Sequence, residues 1–152
     1  MSDREPKSDA TVEELREWVA DEVDAVTELT GLEDGWRMLL DLELRWPRDR
    51  EQIFERSHLP RCTTQSGEAN PAAVQIDLLS DPLDGDPVAL AEQVRDRWET
   101  AGWELSQVGP GYYRADRADG AFMTIEGAEG AGGKMLSLLV RSACSGNPSV
   151  AH

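Results

Sequence analysis

The sequence predicts an α+β fold, a two-layer sandwich in which two helices cover one face of a mainly antiparallel sheet. Two segments repeat apolar residues at helical spacing and carry N-cap signatures, whereas the segments between and after them alternate apolar and polar residues. The predicted order of elements is α-β-β-α-β-β-β-β. The length of 152 residues suits one domain, which we place at residues 11–145, between a flexible leader over residues 1–10 and a flexible tail over residues 146–152.

The first predicted helix runs from Val12 to Thr30. Thr11 and Glu14 match the capping box, in which a Thr hydroxyl and a Glu carboxylate satisfy free amides at a helix start. Gly31 supplies a left-handed residue that ends the helix. The apolar stripe of this helix consists of Leu15, Trp18, Val19, Val23, Val26 and Leu29.

Strand-like alternation follows the first helix. One half-buried strand is predicted by the two-residue repeat of Met38, Leu40, Leu42, Leu44 and Trp46. Pro47 ends this strand, and the stretch from there to Pro71 is irregular, with a single helical turn around residues 52–56. A second strand over residues 74–78 ends at a segment of turn-forming residues, 81–85.

A second helix opens at Asp86 and Pro87, which are favoured residues for the N-cap and the first helical position. It continues to Ala101 and Gly102. The rest of the chain is predicted to be a four-stranded meander over residues 103–108, 112–116, 121–126 and 134–142. Asp119-Gly120 between two alternating runs is a hairpin signal.

The two cysteines bear on the compartment. Cys62 and Cys144 each lie where a regular segment gives way to a polar loop, a placement that suits a disulfide between a mid-chain loop and the last strand. Closing so long a loop stabilises a fold by roughly 4 to 5 kcal/mol, and such bonds persist in oxidising compartments. The alternative is two unpaired thiols in a cytosolic protein.

The charge is strongly acidic. Thirty acidic residues against fifteen basic ones give a net charge of −15, which repels phosphate backbones and argues against a nucleic-acid partner. Ten acids and one base lie between Asp9 and Asp34. They form either a solvated helix face or a surface for a basic partner. That candidate partner surface comprises Glu13, Glu17, Asp24 and Trp36, the last of these if its side chain is exposed rather than packed in the core.

No motif in the sequence predicts catalysis. The run from Gly127 to Met135 departs from a phosphate-binding loop at Ala128 and Met135, and strand patterns flank it, so a flexible hairpin loop is the better interpretation. His58 lies close to Cys62, but a cysteine in a disulfide is no nucleophile. The spacings fit neither a zinc nor a calcium site. We therefore expect no enzyme activity, no cofactor and no metal.

Part of the chain resembles the mature domain of small actinobacterial cell-envelope lipoproteins. The resemblance is carried by residues 94–103, 113–116 and 119–121 and by the end Leu138-Leu139-Val140-Arg141-Ser142-Ala143-Cys144. In that group, a helix that ends near a Gly-aromatic pair precedes a meander, and a Ser-x-Cys segment ends the last strand. The resemblance covers residues 61–144, and the chain lacks a lipobox cysteine near its start. It implies an extracytoplasmic location, a disulfide between Cys62 and Cys144, and no assigned activity.

Two functional hypotheses follow. The first is a non-enzymatic, extracytoplasmic domain of the cell envelope with an unknown protein or cell-wall partner, lipid-anchored in the full-length precursor if the resemblance holds. The alternative is a cytosolic acidic binding protein, such as an immunity protein or an inhibitor of a basic partner. No stretch is apolar enough to span a bilayer, and the polar start of the chain lacks a signal peptide. We therefore expect a cytosolic chain or one whose signal has been removed.

Overall fold

The computed structural model describes residues 9–57, 59–62 and 71–150. These residues form an α+β fold, as predicted from the sequence. Its elements are α1 (Val12–Thr30), β1 (Trp36–Met38), β2 (Asp41–Trp46), α2 (Arg50–Arg56), β3 (Gln75–Ser80), α3 (Pro87–Thr100), β4 (Glu104–Gly109), β5 (Tyr112–Asp116), β6 (Phe122–Gly130) and β7 (Gly133–Arg141). No helix among the described residues is both long and apolar enough to cross a membrane.

The strands form one antiparallel sheet in the order β2-β1-β3-β7-β6-β5-β4. Burial alternates along its central strands, because successive side chains point to opposite faces of a sheet. The buried face pairs Ile76 with Val140 and Leu78 with Leu138, and Val140 in turn pairs with Met123. This face and the apolar stripes of the helices make the core.

Both predicted long helices are present, and their caps explain where they begin. The side chain of Thr11 accepts a hydrogen bond from the Glu14 amide, and the Glu14 side chain accepts one from the Thr11 amide. Gly31 ends α1 in the left-handed region. At α3, the Asp86 carboxylate accepts from the Val88 amide at 3.0 Å.

The structure corrects the predicted number of helices. Residues 50–56 form a third helix, α2, where the sequence predicted a single turn inside an irregular stretch. Its two apolar residues, Ile53 and Phe54, are buried. Phe54 packs edge-on against Trp46, with ring centroids 5.7 Å apart. Tertiary burial thus stabilises a helix too short to be stable by itself.

The first predicted strand is also corrected. The Met38–Trp46 alternation belongs to two strands, because the chain turns back at Leu39 and Leu40 and pairs Met38 with Asp41. Leu40 and Leu42, expected to face the core, are 65% and 48% exposed. The sheet therefore has seven strands, and the observed order is α-β-β-α-β-α-β-β-β-β.

The glycine run is regular structure for most of its length. β6 extends to Gly130 and β7 begins at Gly133, so that only Ala131 and Gly132 form the turn. Gly127 lies within β6 where α3 begins, and a Cβ added there would come within 2.1 Å of the Pro87 carbonyl oxygen. A glycine is required at this position because the helix start approaches the strand too closely for a side chain.

The C-terminal segment packs on the domain as far as Val150, rather than leaving it at Gly146. The side chain of Val150 is fully buried. The Ser149 hydroxyl accepts a hydrogen bond from the Val12 amide at 2.9 Å, and the Asn147 side chain donates to the Asp9 carbonyl at 3.1 Å. These bonds join both ends of the described chain.

Candidate binding groove

The acidic face of α1 is exposed to solvent, as the sequence led us to consider. Its exposed acids are Glu13, Glu14, Glu17, Asp21, Asp24 and Glu28. The opposite side of the helix carries the buried residues of the apolar stripe. The carboxylates of Glu13 and Glu17 make no hydrogen bond to the described residues, which leaves both charges available to a partner.

Two members of the candidate partner surface are tied into the fold. The side chain of Trp36 is fully buried, and its indole donates to the Thr27 hydroxyl at 2.9 Å. It therefore cannot contact a partner, and the core position, which the sequence left open as the alternative, is the one observed. Asp24 is exposed, but one of its oxygens accepts from the Trp46 indole at 2.9 Å. Buried indoles take such partners because an unpaired N–H is costly.

A groove lies between α1 and α3. It encloses a cavity of about 150 Å³. Val26 and Leu29 line it from α1, Trp98 lines it from α3, and Trp103 lines it just before β4. Both tryptophans are largely buried, at 3% and 8% exposure, so little of either side chain is open to solvent. An apolar cavity of this size is large enough for a small organic molecule.

Two charged side chains from opposite helices also line the groove, Glu22 of α1 and Arg97 of α3. Within the described part of the chain, neither side chain has a hydrogen bond, and no ion pair joins them. Burial raises the pKa of Glu22 above its usual value, although Arg117 and Arg97 act in the opposite direction and Asp21 adds to the rise. The cost of burying this carboxylate without a partner exceeds the help from the arginines.

A cluster of two tryptophans and one arginine lies beside the groove. Trp18 and Trp103 pack with ring centroids 6.2 Å apart, and the Arg117 guanidinium lies 5.0 Å from each centroid. Arg117 also forms an ion pair with Asp119. Arg117 is close enough to lower the pKa of Glu22, but its ion pair is with Asp119, and among the described residues it forms none with Glu22. Cation–π contacts of this kind fix both partners.

The disulfide links the loop before β3 to the segment after β7. Cys62 and Cys144 are bonded, with their Cα atoms 6.3 Å apart, so the predicted pair lies at disulfide distance. The Arg141 guanidinium lies 3.8 Å from the Cys62 sulfur. Burial lowers the pKa of Arg141, and Arg114 on the same face lowers it further. His58, which the sequence places near Cys62, lies outside the described residues.

Three leucines are exposed at the β1–β2 hairpin, at 52% for Leu39, 65% for Leu40 and 48% for Leu42. The outer edge of β2 beside them is not open to another strand. The Glu43 amide and carbonyl bond to the side chains of Asp41 and Arg48, respectively. These contacts protect an edge strand from pairing with other chains.

Among the described residues, no group of three or more His, Cys, Asp or Glu side chains is placed to hold a metal ion.

No family model matches the chain, and neither a curated protein nor a solved structure is significantly similar to it. The functional interpretation therefore depends on the surface itself. The sequence predicted the exposed acids of α1 but not the groove, because nothing in the sequence distinguishes Glu22 from the other acids of that helix.

Proposed function

We propose that this chain is a non-enzymatic binding domain that works outside the cytoplasm, in the cell envelope. The disulfide between Cys62 and Cys144 is the observation that supports this proposal. Such bonds persist in oxidising compartments and are rare in the cytosol. The resemblance of residues 61–144 to mature lipoprotein domains points to the same compartment, with a lipid anchor on the full-length precursor and an unknown protein or cell-wall partner.

The acidic face of α1 supports a second candidate, a cytosolic binder of a basic protein. Six acids of this helix are exposed: Glu13, Glu14, Glu17, Asp21, Asp24 and Glu28. A surface of one sign speeds the association of an oppositely charged partner and gives that association a steep salt dependence. The two candidates differ in compartment, so compartment is the property to measure.

Protease accessibility in the native host separates the candidates. The full-length gene product is tagged at its C-terminus. Protease is added in parallel to intact cells, to cells whose outer envelope barrier has been permeabilised, and to lysed cells. The extracytoplasmic proposal predicts digestion once the outer barrier of the envelope is permeabilised, while a cytosolic marker protein stays intact. Protection of the tagged protein together with that marker would reject the proposal and favour the cytosolic binder.

A further inference from the structure

We propose that the groove between α1 and α3 binds a small zwitterion, a free amino acid with an aliphatic side chain. Glu22 would receive the ammonium group, Arg97 would receive the carboxylate, and the side chain would enter the apolar cavity. The inference rests on the proposed function only in treating the chain as a binding domain. It adds a ligand class and the two residues that select it.

The shape and lining of the groove favour an aliphatic group. A cavity of about 150 Å³ lined by apolar side chains holds a molecule of roughly benzene size. Leu29, Val26, Trp98 and Trp103 give the cavity a largely apolar lining. A branched chain of four carbons fits that space, and the charged end of such a ligand then lies at the rim.

The charges at the rim favour a ligand with both signs. Glu22 and Arg97 project from different helices and line one cavity, yet they form no ion pair with each other. Neither side chain has a hydrogen bond among the described residues. A purely cationic ligand would be repelled by Arg97, and a purely anionic one by Glu22. A zwitterion satisfies both groups, and charge-assisted hydrogen bonds are the strong ones.

The burial of Glu22 is consistent with a binding site. Desolvation raises its pKa in the free protein, so the unpaired carboxylate destabilises the fold at neutral pH. An ammonium ligand would remove that cost. Replacing Glu22 by Gln should therefore raise the melting temperature of the free protein and weaken ligand binding, a combination typical of residues kept for function.

The test is a titration of the isolated protein with leucine, followed by the indole N–H resonances in ¹H–¹⁵N spectra. We expect Trp98 and Trp103 to shift, with a dissociation constant on the order of 1 mM. Trp36 and Trp46 serve as internal references, because their indoles are bonded to Thr27 and Asp24. Absence of any shift at Trp98 and Trp103 at saturating leucine would overturn the proposal.

Two analogues and two variants test the role of each charge. Isoamylamine lacks the carboxylate and 4-methylpentanoate lacks the ammonium group, so each should bind at least about tenfold more weakly than leucine. E22Q should weaken the binding of leucine and isoamylamine but strengthen that of 4-methylpentanoate, because Glu22 no longer repels its carboxylate. R97Q should weaken the binding of leucine and 4-methylpentanoate but strengthen that of isoamylamine, because Arg97 no longer repels its ammonium group. Equal binding of all three probes, or the same loss for every probe in both variants, would contradict the assignment.

The matched control is E28Q, which removes one charge from the exposed face of the same helix. Leucine affinity should change by less than about twofold in E28Q. A loss equal to that of E22Q would mean that the general acidity of α1, rather than the groove, controls binding. Failure of the groove tests would leave the compartment result untouched, and a cytosolic location would leave the groove results untouched, so the two proposals fail separately.

Discussion

Removing the disulfide by the double substitution of Cys62 and Cys144 with Ala should lower stability substantially. The bond spans a sequence separation of 82 residues, and the loop-closure entropy for that length corresponds to about 4.5 kcal/mol at 25 °C. For a chain of this size, 1 kcal/mol corresponds to about 2 to 4 °C in melting temperature. The expected decrease is therefore on the order of 10 °C.

The measurement is thermal and urea unfolding of the oxidised wild type, the reduced wild type and the double variant. Reduction should lower the stability of the wild type to that of the variant and leave the variant unchanged. The neighbouring backbone bonds, from the Cys62 amide to Pro71 and from the Ala72 amide to Ser145, are independent of the sulfur atoms. The fold should therefore survive at low temperature. A loss of less than about 1 kcal/mol would refute the reasoning.

Three further predictions concern other parts of the fold. G127A should cost about 2 to 3 kcal/mol in urea unfolding, because the added Cβ meets the Pro87 carbonyl at 2.1 Å, whereas G130A, with open space around it, should cost far less. Arg37 and Arg45 bond to Asp81, and the Arg37 hydrogen bond is the main cause of its lowered pKa. D81N should therefore lower the free energy of unfolding by about 1 kcal/mol at pH 7. This difference from the wild type should disappear as the pH falls through the folded-state pKa of Asp81. A difference that persists in strong acid would contradict the ion-pair account. The triple variant E13Q, E17Q and D24N neutralises part of the acidic face of α1. It should change the free energy of unfolding by less than about 1 kcal/mol but slow association with any basic partner.

The long helices could be predicted because their signals are local. Capping residues predict where each helix begins, Thr11 with Glu14 for α1 and Asp86 with Pro87 for α3. The apolar stripes predict which side of each helix is buried. The β1–β2 hairpin could not be predicted in the same way. Its turn at Leu39 and Leu40 contains neither Gly nor Pro, and a continuous leucine alternation reads as one strand.

The candidate site was harder to predict than the fold. Exposed acids on α1 followed from periodicity, but the sequence left the burial of Trp36 open, and its indole pairs with Thr27, nine residues earlier in the chain. The groove depends on the packing of α1 against α3, which brings Glu22 and Arg97 to one cavity although they lie far apart in the sequence. No local pattern contains that information. The placement of the two helices on the sheet determines it.

The most direct test of the account is the redox state of the two cysteines in the cell. Cells of the native host are quenched in acid, free thiols are alkylated under denaturing conditions, and the full-length protein is analysed by mass spectrometry with and without prior reduction. The account predicts that Cys62 and Cys144 stay unlabelled until the protein is reduced, and that one peptide pair joins them. Full alkylation of both cysteines before reduction would contradict the disulfide and the extracytoplasmic proposal that rests on it.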